Sequence, residues 1–192
     1  MNTAALFVEI LIAGLESLVW IWLLISIAFS PQWSSVFIKT FSDVEVFITT
    51  VSLGFVYAIG VIIEELTDAI FEPWSNHLKK SFIDSDMPSF YDMQLYVSSH
   101  GGRDDEQFDY MRSRRRILRV SAFNIFLIGI LALLLLWIQF PYISVSSKIE
   151  FSMVILFLGL GGSALSLFAY KRTTKAFVKT IQRMYKILKD DK

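Results

Sequence analysis

The chain has no cysteine. That excludes disulfides, thiolate metal sites and cysteine nucleophiles. Histidine is scarce, with only His77 and His100. No basic residue precedes Lys39, so the N-terminal apolar stretch lacks the positive region of a cleavable signal peptide. Glu9 and Glu16 interrupt that stretch too, and it is expected to stay in place as a span. Neither a P-loop nor a G-x-G-x-x-G run is present, and no apolar segment carries the serine or histidine arrangement that intramembrane hydrolysis needs. The expectation is a protein with no catalytic residue, no cofactor and no metal site.

What the chain has is apolar length. Of its 192 residues, 54% are hydrophobic, and the mean hydropathy is +0.53. A soluble domain of this size rarely places so much apolar sequence in long blocks. Four blocks are long enough to cross a hydrocarbon core of ~30 Å, which takes roughly 20 helical residues. They run at about Ala4–Phe29, Val44–Phe71, Val120–Phe140 and Glu150–Tyr170. Ser30-Pro31, Pro73 and Pro141 are read as the stops of the first three, because proline cannot continue a helix unbroken. Shorter alternating segments would be needed for a β-barrel. The fold class is therefore all-α, a polytopic membrane protein of four transmembrane helices. Residues 1–71 form one hairpin and 120–170 a second. Residues 72–119 form a basic helical loop, and 171–192 an amphipathic basic tail.

Net charge is zero, from 18 basic and 18 acidic residues, but the basic residues are segregated. The short connections 30–43 and 141–149 hold one lysine each, Lys39 and Lys148. The loop 72–119 and the tail each hold eight. The positive-inside rule places loop, tail and both termini in the cytoplasm of an inner-membrane protein. Trp33, Trp137, Phe140 and Tyr142 suit the outer boundary, and Trp74 and Tyr170 the inner one.

Inside the loop, Pro88 and Gly101-Gly102 predict turns and short elements over 75–103. Asp104-Asp105-Glu106 reads as a helix start, with a helix from there running straight into the third span. In the tail, Phe177, Ile181, Met184 and Leu188 share one face. Lys175, Lys179, Arg183 and Lys186 lie roughly opposite. Such a helix suits anionic lipid, a protein partner or the loop itself.

Charges within spans usually face the bundle interior, a counter-charge or water, because exposing them to lipid costs several kcal/mol. Glu9 and Glu16 share one face of the first span. Tyr57, Gly60, Glu64 and Asp68 share one face of the second. Since helix direction alternates, Glu9, Glu64 and Asp68 fall at the depth where Arg116 and Arg119 enter the third span, with Asn124 just above. A layer of ion pairs is expected there, Arg116 and Arg119 pairing with Glu64 and Asp68. Glu16 lies deeper, where Tyr57 could hydrogen-bond it. These residues lock the helices together, line an ion path, form a two-state switch or hold a lipid headgroup. Gly159, Gly162, Ser163 and Ser166 give small-xxx-small spacing for close packing in the fourth span, within the chain or between copies. Arg112, Arg114 and Arg115, with the tail lysines, form a candidate surface for lipid or partner. The arginine cluster lies against the membrane, so anchoring explains it better than direct nucleic-acid binding. His77, His100, Asp84, Asp86 and Asp92 lack diagnostic metal spacing, and Glu64-Glu65-x-x-Asp68 stands alone without a second such motif.

The size, four spans, cytoplasmic termini and basic inner loop together resemble the small inner-membrane proteins of bacterial antiphage defence loci, KwaA-like membrane subunits of the Kiwa system. The resemblance is one of architecture over the whole chain and carries over no site residue. It implies a homo-oligomeric sensor or scaffold that recruits a KwaB-like cytoplasmic effector. An oligomeric ion channel or membrane-depolarising effector is the competing expectation.

Overall fold

A computed structural model describes residues 3–29, 45–100 and 105–190. The expected stop at Ser30-Pro31, Trp33 and Lys39, the Gly101-Gly102 turn, Arg103 and Asp104 lie outside the described residues. Five helices account for nearly all of what is described: α1 (Thr3–Ala28), α2 (Glu45–Ser81), α3 (Phe90–His100), α4 (Asp105–Gln139) and α5 (Val145–Asp190). No strand occurs among the described residues. Three stretches are long and apolar enough to cross a membrane: Leu6–Ala28, Phe108–Gln139 and Val145–Asp190. Large apolar side chains such as Trp22, Ile62, Phe157 and Leu165 stand exposed along the helices, on a scale that soluble monomers avoid.

α1 lies between α2 and α4, and α4 packs in turn against α5. The joints are close. A Cβ on Gly14 would collide with the backbone carbonyl of Val56, and one on Gly60 with that of Ile10. Only glycine lets α1 and α2 approach this way at both positions. Between α4 and α5, Gly129 faces Gly159, where a Cβ on either would come within 3.1 Å of the other's Cα. Ser163 Oγ donates to the Ala122 carbonyl at 2.9 Å in the same joint.

α2 does not end at Pro73, as the sequence suggested, but runs on to Ser81. Proline costs the Ala69 carbonyl its usual donor, yet the turns beyond it are tied down by tertiary contacts. Trp74 stacks on Tyr170 with ring centroids 5.3 Å apart, and Tyr170 Oη donates to Ser75 Oγ at 2.9 Å. Likewise the described residues 75–100 hold more regular helix than turns: the end of α2 and all of α3. Ser89 caps α3, its Oγ accepting from the Asp92 N–H at 3.3 Å and donating to Asp92 Oδ2 at 2.6 Å. No break separates the fourth apolar segment from the tail, which share the single helix α5. At 1.5 Å per residue α5 is about 69 Å long, more than twice a hydrocarbon core of ~30 Å.

The overhanging ends of α2, α4 and α5 meet α3 in a small module with its own core. Phe90, Met93, Val97, Phe108, Phe177, Val178 and Ile181 are buried there, with Phe82, Met111, Met184 and Leu188 packed around them. The tail's apolar face is thus spent on α3 and its neighbours. Lys175, Lys179, Arg183 and Lys186 remain exposed on the other side.

Candidate functional site: a polar seam between α1, α2 and α4

About two and a half turns of α4, from Arg116 to Asn124, line the seam. Farthest from the module, Asn124 is fully buried. Its Oδ1 accepts from Trp20 Nε1 at 3.0 Å and from Ser17 Oγ at 3.2 Å. Its Nδ2 donates to Glu16 Oε2 at 3.2 Å and to the Ala13 carbonyl at 3.4 Å. Glu16 Oε1 accepts from Ser121 Oγ at 2.8 Å. Asn124 therefore uses both faces of its amide, which a buried amide must do to avoid a desolvation cost of about 1–3 kcal/mol.

Both Glu16 oxygens are taken from α4, so the expected bond to Tyr57 does not form. Tyr57 instead stacks on Phe7 with ring centroids 5.4 Å apart. The reason is the α1–α2 joint: Val56, Gly60 and Ile63 are the α2 residues buried at it, which leaves Tyr57 at its edge.

Nearer the module, the arginines meet the α2 carboxylates. Arg116 Nε lies 3.4 Å from Glu64 Oε1. Arg119 pairs with Asp68 and is only 8% exposed, while the Asp68 side chain is 61% exposed. The pair thus spans from interior to surface. Glu9 is 9% exposed and lies at this level, but its Oε2 is buried with no hydrogen-bond partner. It joins the seam without an ion pair of its own. Glu9, Glu16, Glu64, Arg116 and Ser121 line one crevice of about 10 Å³.

Arg115 points elsewhere. It was expected on the lipid- or partner-facing surface, but its guanidinium sits over the Phe177 ring at 4.9 Å and the Tyr170 ring at 5.8 Å. Its Nη2 donates to Ser75 Oγ at 3.5 Å. A planar guanidinium stacks well on aromatic faces, and this turns Arg115 into the module's roof. Below it Lys79 Nζ lies 5.4 Å from the Phe90 ring centre. Burial pushes the Lys79 amine below its ordinary value, and the Arg115 charge adds to that. Arg112 pairs with Asp109 at 3.4 Å, and Arg114 is exposed.

In the α4–α5 joint, Gly159 and Ser163 are buried, while Gly162 (against Ile125) and Ser166 are half-buried. The stripe is used within the chain. His77 is exposed, and among the described residues no three His, Asp or Glu side chains converge at metal-ligating distance.

Sequence reasoning missed Ser17, Trp20 and Ser121 as partners in the seam, and Ser75 with Tyr170 in the module. A signal existed for the first set. Trp20 lies four residues after Glu16, Ser17 lies three before Trp20, and Ser121 lies three before Asn124, so these polar groups follow one another at helical spacing. No protein-family model matches the chain, and comparison with curated proteins and with solved structures found no match either.

Proposed function

We propose that the protein is a non-enzymatic inner-membrane sensor or scaffold, homo-oligomeric, whose module recruits a cytoplasmic protein partner. In this reading α2 is the fourth span. Its residues 46–63 carry no charge at all, and the basic loop and tail put the module and both termini inside. The observation that carries the reading is the continuity of α2, α4 and α5 from the apolar zone into a module with its own core. A shift between spans then reaches the module as rigid rotation or translation of helices, with no linker to absorb it. The basic outer face of α5 suits an acidic partner surface. The KwaA-like architecture adds an antiviral defence context, with a KwaB-like effector as the partner.

The test is extraction from the native host in mild detergent, followed by size analysis and co-purification. An oligomer carrying a stoichiometric soluble partner is the expected result. A bare monomer that binds nothing sinks the proposal.

One observation favours a second reading, an oligomeric ion channel: Glu9, Glu16, Ser121 and Asn124 make a continuous polar run along α1 and α4. Flux through reconstituted liposomes separates the two. A channel conducts, and its conductance changes in Glu16→Gln; a scaffold does not conduct.

A further inference from the structure

We propose that the crevice between α1, α2 and α4 binds the primary ammonium group of a lipid headgroup. Three carboxylates, Glu9, Glu16 and Glu64, line it against one guanidinium, Arg116. The Arg116 Nε is directed to Glu64, and the Glu16 oxygens accept from Ser121 and Asn124. Glu9 Oε2 is left with no donor in a side chain nine-tenths buried. A buried carboxylate oxygen without a donor is costly and calls for a cation that brings its own N–H or O–H groups.

Size and geometry select among cations. The space is about 10 Å³, room for one water-sized group. An R–NH₃⁺ group fits that and carries three donors on separate directions. A trimethylammonium group is too large and has no donor. A chelated metal ion needs ligands converging on one point, and among the described residues no three acidic or histidine side chains do so. The crevice is flanked by apolar surface: Ile12 is 37% exposed on its wall, and Val8 and Leu15 on the same helix are more than half exposed. Acyl chains cover such a surface, which a soluble amine would not. Arg112 and Arg116 lie one turn apart on α4, on the side of the crevice toward the module. There they receive the phosphate that a lipid carries next to its amine.

The experiment uses the full-length protein, delipidated in mild detergent and titrated with phosphatidylethanolamine, phosphatidylcholine or phosphatidylglycerol of identical acyl chains. Lipid retention is read by native mass spectrometry. Wild type should retain phosphatidylethanolamine at least about tenfold better than phosphatidylcholine, the loss expected when one charge-assisted hydrogen bond cannot form. Glu9→Gln, and separately Ile12→Phe, which narrows the crevice without touching a charge, should bring the two lipids to parity while keeping the wild-type elution profile. Parity in wild type overturns the proposal, as does a preference that survives both variants. Preference for phosphatidylglycerol means the arginines select net negative charge rather than the ammonium, and overturns it too. Competition by free ethanolamine as effective as by the lipid, or displacement by sodium but not by choline, assigns the crevice to a soluble cation and overturns the lipid assignment.

Discussion

The two ends of this molecule are held together by opposite kinds of packing. Along the apolar zone the joints are made of the smallest residues and of polar side chains: Gly14 on Val56, Gly60 on Ile10, Gly129 on Gly159, with Asn124 buried beside them. In the module the core is aromatic and aliphatic, with Phe177 between Phe90 and Phe108 at centroid distances of 5.8 and 6.2 Å. On the proposed reading of α2 as a fourth span, the contrast follows from the solvent. Burying Phe177 removes apolar surface from water and gains about 1.5–3 kcal/mol. Helix contact in lipid gains nothing by that route, because the tails are as apolar as leucine. Close approach and interhelical hydrogen bonds must supply it instead.

That contrast predicts which substitutions damage which region. Phe177→Ala should have the largest effect, about 3–5 kcal/mol, as for other buried aromatics. Hydrogen exchange should accelerate in residues 90–100 and 177–188 while the apolar stretches stay protected. If protection falls everywhere, the module is not a separate unit. Gly60→Leu should follow, at about 1–3 kcal/mol or somewhat more, since the side chain meets backbone rather than a mobile group. Thermal size-exclusion profiles in detergent should show it. A near-neutral result would mean that α1 and α2 part easily and that the glycine joint holds little.

Asn124→Leu should come next, at about 1–3 kcal/mol. It removes the acceptor of Trp20 and Ser17 and one donor of Glu16. Because polar contacts in lipid-embedded helices often measure nearer ~0.6 kcal/mol, the double change with Glu16→Gln decides between a cooperative cluster and independent bonds. Coupling well above that figure identifies a cluster.

Much of this arrangement is readable from hydropathy and charge alone. Alternating helix direction puts Glu64 and Asp68 at the level of Arg116 and Arg119, where both ion pairs are found. The tail's apolar stripe has an obvious helical period. What escaped was whatever depends on neighbours. Pro73 reads as a stop, and it fails as one because Trp74 and Ser75 are clamped by Tyr170, nearly a hundred residues away. Arg115 belongs to a run of arginines that looks like surface, and only the placement of Phe177 and Tyr170 beneath it makes it interior. Tyr57 and Glu64 are seven apart on α2, yet the glycine joint turns one toward Phe7 and the other toward α4.

The smallest expected effect on stability is also the most informative for the module. Lys179→Glu with Lys186→Glu reverses charge on the exposed face of α5, away from its core. Stability should change by less than about 0.5 kcal/mol, because both side chains are exposed. If that face receives an acidic partner, the double reversal should slow association and weaken it in a salt-dependent way, since rim charges act chiefly on encounter. Binding kinetics with the co-purified partner at two ionic strengths would read this. An unchanged rate would move the recruiting surface to α3, whose exposed Tyr91 and Leu95 would then be the next face to alter. The outcome decides whether the module meets its partner through field or through shape.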